Sequence, residues 1–307
     1  MPFLHEIHPH PLDNQVVFFE DGHRYEHVES GKRVRTSVTS LLKPYFDTFD
    51  GSAIVKRQFN KWILDDNGKY GQLCQYLTLV AGFTDDEAQL EILKLWEAKG
   101  KVACLAGTAM HKNIEDFLNG MLPPPETALA APEGVADYIG MMGTFYPEME
   151  LRPWRTEFLV CLTTLASDGV EIPVVAGAID CIMIDKFNRY WILDWKRVDP
   201  KKKGLLGKRR SDGSPFRPEK AKGPFQSHDA DSFTQYSAQL LAYKWIIENG
   251  GYDLNIAGCF LVQIHPSIAC AHVIEVLDLE DEVDSVMRDE IEAAKREHAE
   301  KSGKVIA

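Results

Sequence analysis

The sequence predicts a mixed α/β protein of the α+β kind, and three observations predict it. Helical periodicity dominates the first half, the texture turns strand-like at Arg152, and one helical stretch is embedded among the later strands. A chain of 307 residues, 45% hydrophobic and 26% charged, has room for a sizeable core without metal or disulfide staples.

The elements follow in order. Val16-Val-Phe-Phe19 and Tyr25-Glu-His-Val28 flank Asp21-Gly22, a turn dipeptide, and predict a hairpin within residues 1–35. Helical patterns start at Ser37 and cover 53–64. Thr84-Asp-Asp-Glu87 has capping-box spacing and opens a helix to about Lys99. A further helix is expected from about Val102 to Leu118, and another over 134–146. Strands are expected at 157–162, 174–184, 190–195, 258–265 and 272–277. Ser232-x-x-Gln235 caps a helix to about Glu248, and a charged helix over 279–300 closes the chain. The expected organisation is a hairpin (1–35), a helical module (36–102), a core (103–278) and a C-terminal helix (279–307).

Composition excludes several classes. No apolar stretch reaches membrane-spanning length, and the N-terminus shows no signal or transit pattern, so an intracellular protein is expected. Six scattered cysteines without CxxC pairing read as free thiols in a reducing compartment. The net charge of −12 argues against indiscriminate nucleic-acid coating. One segment departs from it: residues 197–222 carry ten Lys or Arg against three acids, a local +7, which leaves −19 for the rest. This Gly- and Pro-rich run predicts a basic loop over 197–230. Lys201, Lys202, Lys203, Lys208, Arg209 and Arg210 are candidate phosphate contacts, or else a solvated insertion or a nuclear-localisation-like patch.

The chemistry centres on the hairpin from Ala178 to Lys196. Asp194 and Lys196 alternate with Trp195, so they share a face and Trp195 takes the other. A turn centred on Phe187 sets Asp180 opposite Asp194, with Cβ atoms about 4.5–5.5 Å apart. Two carboxylates so close among apolar residues require a cation, and oxygen ligands favour Mg²⁺ or Mn²⁺. Lys196 adds a positive charge able to hold a water or neutralise a phosphate. In Gly107-Thr-Ala-Met-His111-Lys-Asn-Ile-Glu115, His111 and Glu115 share a helix face. Gln239 and Tyr243 are likewise four apart, and Glu157 lies on a strand. Each has an ordinary reading when taken singly: a solvated hairpin, an exposed His–Glu pair, a core tyrosine with Gln239 at its rim, an exposed strand acid.

Their order, G-x-x-x-H-x-x-x-E, strand Glu, G-x-x-D, D-x-K, then Q-x-x-x-Y, resembles the PD-(D/E)XK nuclease superfamily, in its RecB-like and lambda-exonuclease-like branch, over about residues 103–265. The resemblance implies a restriction-endonuclease-like core, a central mixed sheet flanked by helices. It implies Asp180, Asp194, the Trp195 carbonyl and His111 as metal ligands and Lys196 as the catalytic lysine. Glu115 and Glu157 are implied as supporting acids, and Gln239 and Tyr243 as residues positioning the nucleic-acid strand. Asp194 stands where many relatives have Glu. Relatives with an iron–sulfur cluster carry a C-terminal Cys cluster, whereas only Cys259 and Cys270 lie late here, so no cluster is expected.

The resulting expectation is a Mg²⁺- or Mn²⁺-dependent DNA nuclease of DNA repair and recombination, an exonuclease on single-stranded DNA or DNA ends. The alternatives are a structure-specific endonuclease on the same core and a non-catalytic DNA- or partner-binding module. Tyr45, Phe46, Phe49, Phe59, Trp62, Tyr70 and Tyr76 of the helical module either stack on bases or build that module's own core.

Overall fold

The computed structural model describes residues 2–46, 49–122, 131–144, 150–200, 205, 219–268 and 270–303. Lys201, Lys202, Lys203, Lys208, Arg209 and Arg210 lie outside the described residues. The chain forms two compact units, one from residues 1–47 and 109–307 and the other from 48–108.

The larger unit is an α+β fold on a six-stranded mixed sheet. Its strands are β4 (Thr36–Ser37), β5 (Arg152–Leu165), β6 (Glu171–Ile184), β7 (Tyr190–Arg197), β8 (Ile256–Ile264) and β9 (His272–Glu275). Strand β6 is the hub. One of its edges pairs antiparallel with β5 along its length. The other is shared, first by β4, parallel at Thr36–Val175 and Ser37–Ala176, then by β7, antiparallel from Cys181–Leu193 to Ile184–Tyr190. β7 continues parallel onto β8, and β8 antiparallel onto β9.

Side-chain alternation splits the core into two layers. Ile182, Ile192 and Leu261 pack with α2 (Val38–Leu42), α7 (Ser232–Asn249) and α8 (Glu280–Lys301). Cys181, Met183, Leu193, Trp195, Phe260 and Val262 pack on the other side. They meet Met110 and Ile114 of α5 (Asp85–Leu118), and Tyr138 and Met141 of α6 (Val135–Thr144). Helices thus cover both faces of the sheet. At the N-terminus, α1 (Leu4–Ile7) precedes a separate three-stranded antiparallel sheet of β1 (Val16–Phe19), β2 (Arg24–His27) and β3 (Lys32–Arg33). Its tight turn uses Gly22 at φ +75°.

The smaller unit contains α3 (Gly51–Trp62), α4 (Gly71–Gln75) and the N-terminal part of α5. Its core is Val55, Phe59, Cys74, Leu77, Ala88 and Ile92, with Trp62, Tyr70 and Trp96 packed against it. Of the module's aromatics, Phe59 is buried here and Phe46 belongs to the core of the larger unit. Phe49 and Tyr76 are the exposed ones, at 73% and 57%.

Four features differ from the sequence reading. The pattern predicts two helices across 84–118, but α5 is continuous, because Gly100 and Gly107 only lower helix stability by about 1 kcal/mol each. The α7 cap is Asp231, whose carboxylate accepts from the Thr234 amide at 2.8 Å, in place of Ser232. Residues 36–46, assigned by pattern to the helical module, instead supply β4 and α2 to the larger unit. β5 runs five residues earlier than the Glu157 start expected for it, since β6 offers a partner along its whole length. Among the described residues no helix is long and apolar enough to cross a membrane. All six cysteines are free; Cys104 and Cys270 are exposed and the other four buried.

Candidate active site

Three neighbouring strands each bring one carboxylate to the same level of the sheet. The β6–β7 register puts Asp180 next in line opposite Asp194, and Asp180 Oδ2 accepts the Trp195 amide at 2.9 Å. Across the other edge, Thr156–Cys181 and Phe158–Ile179 bracket Glu157, which falls opposite Asp180. Glu157 has φ +47°, a left-handed conformation uncommon for a residue with a side chain. It breaks the two-residue alternation. Thr156 reaches Asn119 just past α5, while Phe158, two residues on, joins the opposite core layer. Backbone strain of this kind gathers at functional sites.

His111, on α5, closes the group. Nε2 lies 2.8 Å from the Trp195 carbonyl oxygen and Nδ1 lies 3.3 Å from Asp180 Oδ2. A carbonyl only accepts, so Nε2 carries the hydrogen. In a neutral ring Nδ1 is then a bare lone pair facing a carboxylate oxygen, a contact that either a second ring proton or a bound cation satisfies. His111, Glu157 and Asp180 each offer a ligand atom within 4.8 Å of the others. Adjacent ligands of an octahedral ion bound at 2.0–2.1 Å stand about 3 Å apart, which the 3.3 Å between His111 Nδ1 and Asp180 Oδ2 approaches.

Asp194 and Lys196 face α7, while Trp195 packs on the opposite side, edge-on to Tyr138 at 6.0 Å. Asp194 is 5% exposed, and Lys196 Nζ lies 2.6 Å from its Oδ2. The contact lies off the hydrogen-bonding direction, so this buried oxygen is paired in charge but has no aligned donor. Burial pushes Asp194 up to about 6. Lys196 opposes the rise and Asp180 adds to it. Burial pulls the Lys196 ammonium down, but Asp194 and Asp180 outweigh it and hold the group above its ordinary value. Glu157 is pushed up to about 8 by burial, then by Asp180, Glu115 and Asp194. The residue is exposed on one side and crowded by these carboxylates on the other. The donor set of carboxylates, imidazole and carbonyl, with one buried oxygen lacking an aligned donor, fits Mg²⁺ or Mn²⁺.

The other expected residues divide. Glu115 pairs with Lys112 at 3.2 Å and lines a polar pocket of about 330 Å³ with Glu157, Asn119, Thr156 and Arg155. Tyr243 is buried, and its ring lies so close to Gly177 that a Cβ there would stand 2.5 Å from Tyr243 Cε1. Its hydroxyl meets Gln239 Nε2 at 3.3 Å, and Gln239, half-buried, also reaches Thr39 Oγ1 at 3.3 Å. Gln239 is therefore the member of this pair that faces outward.

Two groups escaped the sequence reading. Tyr236, three residues before Gln239 on α7, places its ring 4.3 Å from Lys196 Nζ. The helical spacing that linked Gln239 and Tyr243 extends to it and is the signal that could have found it. Asn119 accepts the Leu4 amide at 3.0 Å and donates to the Glu115 carbonyl and to Thr156 Oγ1, both at 2.9 Å. It ties the N-terminal segment, the end of α5 and β5 together beside Glu157.

No family model and no curated protein matches this chain. Among solved structures, one described as "Crystal structure of SSO0001" is 14% identical and covers 85% of this chain and 78% of that one, at a TM-score of 0.30.

Proposed function

We propose that this protein is a metal-dependent DNA nuclease that hydrolyses phosphodiester bonds, acting as an exonuclease on single-stranded DNA or DNA ends. The observation that carries the reading is the row Glu157–Asp180–Asp194 across three adjacent strands, with His111 on one side and Lys196 on the other. The resemblance in motif order supports the same reading and supplies its restriction-endonuclease-like frame.

Asp180, Asp194, Glu157, His111 and the Trp195 carbonyl are the groups that would hold the ion. A bound Mg²⁺ or Mn²⁺ supplies Lewis acidity and a more acidic water. Water adds to phosphorus, the bond to the departing 3′-oxygen breaks, and that oxygen takes up a proton. Lys196, held as an ammonium, cannot accept a proton. It donates a hydrogen bond to a phosphate oxygen or to the attacking water and offsets charge developing there. Gln239 donates to the strand from the outer edge of α7. The basic segment containing Lys201, Lys202, Lys203, Lys208, Arg209 and Arg210 supplies phosphate contacts that carry no sequence information.

The test is digestion of end-labelled linear and circular DNA, single- and double-stranded, with Mg²⁺ or EDTA. Linear single strands should be degraded only with Mg²⁺, and circles spared. Asp194→Ala, Asp180→Ala and Lys196→Ala should each lower the rate by on the order of 10³-fold, and the losses should not add because the groups act as a unit. Undiminished cleavage by Asp194→Ala would overturn the assignment, and cutting of circles would move it to an endonuclease.

A further inference from the structure

Lys196 is held on two sides, and the second side belongs to a residue outside the motif set. One contact is Asp194 Oδ2 at 2.6 Å, the other is the Tyr236 ring at 4.3 Å from Nζ. The lysine side chain is 16% exposed, so the ammonium has exchanged most of its water for these two groups. A lysine carries a compact charge on a flexible four-carbon stem, which by itself does not fix where the charge sits. Once Asp194 turns its oxygen to an ion, the carboxylate no longer fixes the ammonium, and the ring face remains. The quadrupole of an aromatic ring attracts a cation lying over its face, more strongly where water is excluded.

We propose that Tyr236 is a positioning residue that holds the Lys196 ammonium in the site through the face of its ring. The proposal rests on the nuclease reading for its consequence on rate, but not for the contact itself. Tyr236 is suited to the task because α7 is fixed beside the sheet by Ala238, Leu240 and Leu241, all buried in the main core, with Tyr236 packed at its margin. The ring acts through Lys196 and is not expected to touch the reacting atoms. Its loss should therefore lower kcat and leave KM in place.

Two measurements test it. In protein labelled with ¹³C-lysine, with the signal assigned by its absence in Lys196→Arg, the Lys196 ε-methylene protons should be shifted upfield by the ring in wild type and in Tyr236→Phe. They should return to the ordinary lysine position in Tyr236→Leu. In steady-state cleavage of a linear single strand with Mg²⁺, Tyr236→Leu should lower kcat roughly tenfold at unchanged KM, and Tyr236→Phe should restore it to within about threefold, since the ring and not the hydroxyl is required. Thermal melting of each variant shows that it is folded. An unshifted Lys196 signal in wild type overturns the proposal, and so does equal kcat for the Leu and Phe variants. If wild type cuts no nucleic acid, the nuclease reading fails, while the methylene signal still decides whether the ring holds the ammonium.

Discussion

Glu157 combines a left-handed backbone with a carboxylate crowded by three others, so both its main chain and its charge are unfavourable where they stand. A strained conformation of this kind costs on the order of 1–3 kcal/mol. Glu157→Gly should therefore raise thermal stability, since glycine adopts the left-handed region freely, and should lower cleavage because a ligand oxygen is gone. Calorimetry beside an activity assay checks the pair, and a loss of both would show that the carboxylate is structural. The same crowding predicts a response to ions. Mg²⁺ or Mn²⁺ should raise the melting temperature, by the equivalent of about 2.7 kcal/mol at a hundred times its Kd, and Asp180→Asn should blunt the rise. Ca²⁺, which prefers longer bonds and more ligands, should stabilise the protein without supporting cleavage.

The β6–β7 hairpin is the element that sets the site, and its turn is fastened by Asp185. This fully buried carboxylate accepts from the amides of Phe187 (2.8 Å) and Arg189 (2.9 Å), from Arg189 Nε (2.9 Å) and from Trp191 Nε1 (3.2 Å). Burial alone would raise its pKa, but these donors outweigh burial and lower it. A carboxyl lowered on folding contributes stability above its ordinary value of 3.8 and loses it as pH falls through the folded value. Asp185→Asn should cost about 1.5–3 kcal/mol near neutrality and flatten the acid limb of the stability profile below pH 4. Urea melts from pH 3 to 7 measure both. Much of this hairpin was legible in the sequence, because a turn centred on Phe187 and strict alternation fix which residues face each other. The left-handed kink at Glu157 was not legible, since nothing local in Arg155-Thr-Glu-Phe marks it. Neither was the continuity of α5, where two glycines discourage a helix only weakly and neither is crowded by a neighbour. Tyr236 was hidden for another reason: its partner lies 40 residues earlier on another element.

At the scale of the whole molecule, the proposed function would have an acidic chain of net −12 meet a polyanion, and residues 197–222 concentrate the opposite charge in sequence directly after the strand bearing Asp194 and Lys196. Replacing Lys201, Lys202, Lys203, Lys208, Arg209 and Arg210 by Ala should weaken binding equally for all sequences. On single strands, the log–log salt dependence should flatten by roughly 0.7 for each phosphate that is no longer neutralised. An unchanged slope in fluorescence titrations would make this run a bystander. The hub position of β6 has a consequence of a different kind. The carboxylates of Glu157, Asp180 and Asp194 are placed by β6 itself or by a strand paired with it, and the interval from Asp180 to Asp194 contains 13 residues. A strand shifted by one position presents all its side chains to the opposite face. One residue added within the paired stretch between Leu193 and Asp194 would send the Asp194 carboxylate toward the layer of Met110 and Leu193 while changing neither aspartate. The exposed turn residues Lys186 and Phe187 are therefore open to exchange, while the paired residues on either side of them are closed to insertion, and the register between the two aspartates is as much a part of the site as the aspartates are.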